Sequence, residues 1–345
     1  MQEKKAKTWI TDEQIWLNRI HQCLSDIGVT NKDFLEDALI NLLKIDREVP
    51  DLHDLELIKN SLLEQKNTFK VFGQFRDVRK VCIFGSARVN DSDKNFQMAE
   101  EFSEKITQEG MMMVTGAGPG IMEAGNKGSL SNMSFGLNIM LPFEQVANEY
   151  IANDPKLVQY NYFFNRKVSF VRETDATVIF PGGFGTHDEA FEVLTLIQTG
   201  RCSPRPVIFM SEPRSKYWEK WQSFIKGELL NNKHISETDF QIYSICKNVE
   251  EAINNIIKFY RVFHSIAYLP DYTVIRLNDV LGEKHLKYIN AHFKHLVIDG
   301  RFEILPCSKI KNECLDYPTL PRLAFKFNQT NFSGLYPLIH YINSI

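Results

Sequence analysis

Apolar positions change their spacing twice along the chain. Up to about residue 78 they recur at helical intervals. Ile15, Leu17, Ile20, Leu24 and Ile27 form one row, Leu35, Ala38, Leu39, Leu42 and Leu43 a second, and Leu55, Ile58, Leu62 and Leu63 a third. Such rows predict amphipathic helices, with Pro50 separating the last two. From about 79 to 262, short continuous apolar runs alternate with helical stretches. KVCIFGSARV, MMMVTGAGPG, SFGLNIML, ATVIFPGG, PVIFM and IYSICK predict strands, several ending in glycines. Residues 93–109, IMEAGNKGSL, NRKVSFVRET and THDEAFEVLTLIQTG predict helices. Continuous rather than alternating apolarity suits parallel strands covered on both faces. The alternation of strand and helix predicts a doubly wound, Rossmann-like α/β parallel sheet. From 266 to 345, YTVIRL, EKHLKYINAHFKHLV, RFEIL, LAFKF and FSGLYPLIHYIN read as β-α-β-β-α, a small α+β module. The expected organisation is an N-terminal helical arm (1–78), a central domain (79–262) and this accessory module (266–345). No catalytic cluster falls in the module, which points to packing, oligomerisation or regulation.

Charge and composition narrow the function classes. The 345 residues carry a formal net charge of -3 and a pI of about 6.3. No broad basic field is present for nucleic acid, and no polybasic patch for a membrane surface. No apolar run approaches the ~20 residues of a membrane span, and MQEKKAKTWITDEQ lacks the apolar centre of a signal peptide. The expected location is the cytoplasm. Cys23, Cys82, Cys202, Cys246, Cys307 and Cys314 are scattered without CxxC spacing and are expected as reduced thiols. His292 and His295 lie three apart with no further ligand to complete a metal site. Neither metal nor cofactor is expected.

Candidate chemistry gathers on three glycine loops, each after a predicted strand, where ligands of doubly wound sheets bind. Phe84-Gly85-Ser86-Ala87-Arg88 places a small hydroxyl at one strand end. Thr115 to Ala124, TGAGPGIMEA, contributes Gly116, Gly118 and Gly120. This loop lacks the Gly-Lys-Ser/Thr of a Walker loop and does not spell GxGxxG. The third, PGGFGTHDE, runs from Pro181 to Glu189. Gly182, Gly183 and Gly185 let a ligand approach the main chain, and the following helix start favours an anion. Thr186 can cap that helix or meet a phosphate. Just upstream, Arg166 and Lys167 follow an aromatic run (Tyr160, Tyr162, Phe163, Phe164) near a predicted helix start. Cations are disfavoured there, so their position suggests a bound anion.

The pair Arg166-Lys167, followed at fixed spacing by Pro181-Gly182-Gly183-Phe184-Gly185-Thr186-His187-Asp188-Glu189, resembles the LOG family. These are the nucleoside 5'-monophosphate phosphoribohydrolases formerly labelled lysine decarboxylases. The resemblance extends to Gly85-Ser86, the Gly116–Met122 loop and EVLTLIQTGR, about half the chain. Phe163 and Phe164 stand where the plant-type pattern has Met-His, and His187 where an apolar residue is common, so no plant-hormone substrate is implied.

The resemblance implies hydrolysis of the N-glycosidic bond of a nucleoside 5'-monophosphate, purine nucleotides such as AMP or GMP in particular. Products are free base and ribose 5-phosphate. Glu189 would stabilise an oxocarbenium-like ribose and polarise water, and Arg166 would position Glu189 or the ribose, or assist the departing base. Gly182, Gly183, Gly185 and Thr186 would hold the 5'-phosphate, with Lys167 adding charge. Ser86, Gly116, Gly118 and Gly120 would line the nucleotide pocket. A homodimer or larger homo-oligomer is implied. The competing expectation is a nucleotide sensor on the same fold. A pyridoxal-phosphate decarboxylase would need a Schiff-base lysine that nothing picks out.

Overall fold

The computed structural model describes residues 2–48, 51–141, 146–311, 313–314 and 317–345. They fall into two compact units, Met1–Glu64 and Gln65–Ile345. Helices α1 (Gln2–Ile27) and α2 (Lys32–Glu48) pack together in the first. Gly28, with φ of 74°, ends α1 and donates its N–H to the Leu24 and Ser25 carbonyls, as a left-handed glycine does at helix ends. Leu24 and Ile40 are the buried apolar side chains here. The third predicted helix is α3 (Leu52–Phe72), which passes from the first unit into the second. Pro50 lies outside the described residues.

The second unit is built on a seven-stranded parallel sheet. Its strands are β1 (Lys80–Phe84), β2 (Met112–Thr115), β3 (Ser134–Ile139), β4 (Leu157–Tyr160), β5 (Ala176–Ile179), β6 (Val207–Met210) and β7 (Tyr243–Cys246). Their order is β4-β3-β2-β1-β5-β6-β7. The intervening helices are α4 (Lys94–Gln108), α5 (Ile121–Gly128), α6 (Phe163–Glu173), α7 (Phe184–Gln198), α8 (Tyr217–Phe224) and α9 (Val249–Phe259). Both sheet faces are buried. Val81 and Ile83 of β1 enter one core with α4, α5 and α9, while Cys82 and Phe84 enter the other with α6, α7 and α8. The continuous apolar runs of the sequence reflect this double cover. The chain winds outward from β1 to β4 and then returns to β5 on the other side of β1. A crevice forms at the carboxyl end of such a switch point.

A four-stranded antiparallel sheet follows, in the order β10-β11-β9-β8. It comprises β8 (Phe263–Tyr268), β9 (Thr273–Leu277), β10 (Glu303–Ile304) and β11 (Arg322–Phe325), with helices α10 (Glu283–His292) and α11 (Leu335–Ser344). Strands β4 and β8 are additions to the predicted set. LVQY carries an exposed Gln159, and FHSIAY interrupts its apolar pattern with His264 and Ser265, so neither reads as a covered run. The antiparallel sheet shares its core with the parallel one. Ile275, Leu277, Leu323, Phe325, Leu335 and Ile339 join Phe84 and Phe209 in one continuous cluster. The Tyr336 hydroxyl donates to the Arg205 carbonyl at 2.8 Å and accepts from the Arg205 N–H at 3.1 Å.

The cysteine expectation needs correction. Cys307 and Cys314 form a disulfide, whereas Cys23, Cys82, Cys202 and Cys246 are free. Burial in apolar runs describes three of the four free thiols, but the paired two lie in a polar loop. Among the described residues, no helix is long and apolar enough to cross a membrane, and no group of three or more His, Cys, Asp or Glu could hold a metal.

That loop is fastened by Glu313, which is 1 % exposed. Its carboxylate accepts from Arg276 Nε at 2.7 Å and Nη2 at 2.9 Å, and from Arg322 Nε at 3.0 Å. Removing one partner of a buried charge cluster strands the others. Glu313→Gln is expected to destabilise the protein by about 3 kcal/mol, measured by denaturant unfolding.

Candidate functional site

The carboxyl ends of β1, β2 and β5 open into a cavity of about 790 Å³. All three glycine loops reach it. Its lining includes Ser86, Gly116, Gly118, Arg166, Gly182, Gly183, Gly185, Thr186 and Glu189.

The third loop leaves β5 and enters α7 directly. The helix begins at Phe184 rather than at Thr186, with Gly183 as its N-cap and no side-chain cap. The first intrahelical bond near this end runs from His187 N–H to the Gly183 carbonyl. The preceding amides therefore have no helical acceptor and face the cavity end, the arrangement that binds anions. Gly183 and Gly185 have no atom within 4 Å of where a Cβ would stand, so they keep this entrance open. Gly182 is constrained differently: a Cβ there would meet Thr186 Oγ1 at 2.1 Å. Thr186 is thus a buried brace under the turn as well as a cavity residue. The Tyr217 hydroxyl donates to the Gly182 carbonyl at 2.6 Å, and His187 Nε2 lies 2.7 Å from the same hydroxyl. Sequence periodicity gives no hint of Tyr217, which comes from α8.

The second loop is held by a buried amide network. Thr115 Oγ1 donates to Asn126 Oδ1 at 2.7 Å and accepts from Ala117 N–H at 2.9 Å. Asn148 Nδ2 donates to the carbonyls of Ala117 and Gly118, each at 3.1 Å, and to Asn126 Oδ1 at 3.0 Å. This network holds Ala117 at φ of 61°, which an alanine rarely adopts. Gly116 is small because Arg166 lies against it: a Cβ would meet Nη2 at 2.2 Å. Gly120 is outside the cavity lining. With φ of 70° it packs on the main chain of Ser86 and Ala87, and the next N–H, of Ile121, donates to the Ser86 carbonyl.

Arg166, on the first turn of α6, donates from Nε to the Leu137 carbonyl at 2.7 Å and from Nη2 to Gly116 at 3.4 Å. Its guanidinium lies 5.3 Å from the Phe170 ring centroid. Burial lowers its pKa and the Glu189 charge opposes this; a guanidinium stays cationic regardless. Lys167 does not line the cavity. Its ammonium contacts Asp188 at 2.9 Å, Glu192 at 2.9 Å and Glu189 at 3.6 Å. Asp188 and Glu189 therefore share one cation although they leave α7 in different directions. Burial pushes the Glu189 carboxyl up to about 7, against the pull of Lys167 and Arg166, with Glu192 and Asp188 adding to the rise. The cavity thus presents a desolvated carboxylate beside a buried guanidinium, below a helix start that accepts an anion.

Residues that sequence reasoning did not single out complete the lining. Met122, Asn138, Leu141 and Val146 join Phe163, whose aromatic run did draw notice. Asn138 is buried on β3 and donates from Nδ2 to Gln159 Oε1. A polar residue inside an otherwise apolar strand was the available signal.

A glycine-looped Rossmann-like crevice that pairs a carboxylate with an arginine defines the class of site. Residues 113–256 match the family model described as "Possible lysine decarboxylase", and this part of the chain belongs to that family, the LOG family. No curated protein matches the chain. Solved structures resemble it over about half its length. The structural-genomics target TM1055 is 22% identical, over 52% of this chain and 98% of its own, with a TM-score of 0.38. A molybdenum cofactor binding protein from Rippkaea orientalis is 16% identical, over 52% and 95%, with a TM-score of 0.36. DNA processing protein A from Helicobacter pylori is 15% identical, over 55% and 83%, with a TM-score of 0.37.

Lys167 lowers the Glu189 pKa. Lys167→Met is therefore expected to move the Glu189 titration upward by about one unit, read by carbon NMR of labelled glutamate side chains.

Proposed function

We propose that this cavity binds a nucleoside 5'-monophosphate, a purine nucleotide such as AMP or GMP in particular, and hydrolyses its N-glycosidic bond in the cytoplasm. The observation that carries the reading is Glu189. It is buried beside Arg166, in the cavity that the open start of α7 also faces. The 5'-phosphate would sit against the amides of Gly183 to Thr186, where the helix dipole favours it. Phe163 and Met122 offer an aromatic and a polarisable surface for the base.

In the reaction, water adds its oxygen to C1' and the C1'–N bond breaks, its electron pair leaving with the base. One water proton stays on the new C1' hydroxyl and the other reaches the base nitrogen. Positive charge develops on the ribose as the bond breaks. An ionised Glu189 stabilises that charge and can draw the proton from the attacking water. Arg166 holds Glu189 in its ionised form or polarises the departing base. A desolvated carboxylate interacts more strongly with the developing charge than an exposed one would.

Ribose 5-phosphate release from AMP, GMP, IMP, CMP and UMP tests the reading. Release is expected, to be abolished by Glu189→Gln and reduced at least ~100-fold by Arg166→Ala. Binding without release, from every nucleotide tried, would sink the hydrolase and favour a sensor. The ionised carboxylate is the active form, so kcat/KM should rise with pH through a midpoint near 7. A profile flat from pH 6 to 8 would remove Glu189 from that role.

We also propose a homo-oligomer. Phe184 is 96% exposed, and Val146, Phe163, Phe164 and Val168 are exposed near it along the cavity rim and α6. Apolar groups gathered in this way mark contact surfaces. Light scattering is expected to give a mass at least twice the 40.0 kDa of one chain; a monomeric mass at working concentrations would reject the oligomer.

A further inference from the structure

The opposite end of the parallel strands holds a second cavity, of about 390 Å³. Arg79 stands just before β1, Thr174 and Asp175 before β5, and Ser203 to Arg205 before β6. Tyr260, His264 and Tyr317 close it from the side of the antiparallel sheet. None of the three glycine loops reaches it.

Its charges are unbalanced. Arg76, Arg79, Arg172 and Arg205 line it against two carboxylates, Asp77 and Asp175. Asp175 is occupied by Arg79 at 3.0 Å and by the Lys80 N–H at 2.9 Å. Arg79 also donates to the His264 carbonyl at 3.0 Å and stacks 3.7 Å from the Tyr260 ring centroid. Arg172 meets Glu173 at 3.1 Å. Arg76 is exposed and makes no ion pair among the described residues.

Arg205 is the telling member. It is 7% exposed, and no carboxylate pairs with it among the described residues. Its Nη1 donates to Thr174 Oγ1 at 3.2 Å and its Nη2 to the Val171 carbonyl at 2.7 Å. The Cys202 thiol lies beside the guanidinium, and burial raises that thiol's pKa, so it stays neutral at pH 7. The buried Nε has no acceptor. Buried charges are normally paired, and buried donors normally satisfied. A purely structural arginine cluster would be closed by carboxylates, as Arg276 and Arg322 are closed by Glu313 in the same unit.

We propose that this second cavity is a binding site for a small phosphate-bearing anion, distinct from the ligand of the first cavity. Guanidiniums match phosphate oxygens in charge and geometry. The volume lies within the range of ordinary small-molecule pockets, and Tyr260 and Tyr317 supply apolar walls for whatever carries the phosphate. The assignment is independent of the reaction at the first cavity.

Inorganic pyrophosphate, titrated by calorimetry at low salt, is the probe. The first cavity is closed by Gly183→Trp, a position with φ of -92° and open space around its Cβ. Pyrophosphate is expected to bind this variant at one per chain. Adding Arg205→Gln should weaken binding about tenfold or more, the scale of a charged hydrogen bond. Should that variant not fold, the exposed Arg76→Ser replaces it, with the same direction expected. No binding to Gly183→Trp would overturn the proposal, as would binding unchanged by the arginine variant that folds.

Discussion

The chemistry of this chain turns on the removal of one carboxylate from water. Glu189 sits a turn into α7, and burial raises its pKa to about 7 in spite of two nearby cations. A carboxylate held there has lost most of its hydration and answers strongly to any charge that forms beside it. The arrangement depends on parts from across the sheet. Arg166 is fixed by carbonyls at the ends of β2 and β3. Lys167 gathers Asp188, Glu189 and Glu192 from one side of α7. The glycines preceding α7 keep the helix start bare, so the local field is positive where an anion would enter and negative one turn further in.

Two elements run the length of the sheet between the cavities. α6 begins with Phe163 and Arg166 at the first and ends with Arg172 at the second. β5 begins beside Asp175 at the second and delivers the Pro181–Gly183 turn to the first. Both pack into a core with no empty face, and packed elements transmit displacements as units rather than absorbing them.

Much of this was legible in the residues, for physical reasons that can be named. Double-sided burial writes continuous apolar runs, so β1, β2, β3, β5 and β6 were readable. An edge strand such as β4, with Gln159 turned to water, and β8, broken by His264 and Ser265, write no such run. The glycine loops were visible because small residues cluster after strands. Which glycine does what was not: Gly116 yields to Arg166, Gly120 to a backbone contact, and Gly183 to open space. Those distinctions come from tertiary neighbours far away in sequence. Tyr217, Asn126 and Asn148 were invisible for the same reason, since a hydrogen-bond partner leaves no periodic trace. The Cys307–Cys314 bond shows the same limit, because spacing alone says nothing about whether two thiols in a loop face each other.

The reciprocal bond between Tyr336 and the main chain of Arg205 joins positions 131 residues apart. Around it, α11 covers apolar groups that β6 and α9 present from much earlier in the chain. Closing so long a loop costs entropy before any contact repays it, and folds rich in such contacts assemble slowly. During synthesis, the parallel sheet therefore waits with one face uncovered until residues beyond 335 emerge. For that interval the nascent chain displays an apolar surface that is a natural target for chaperones.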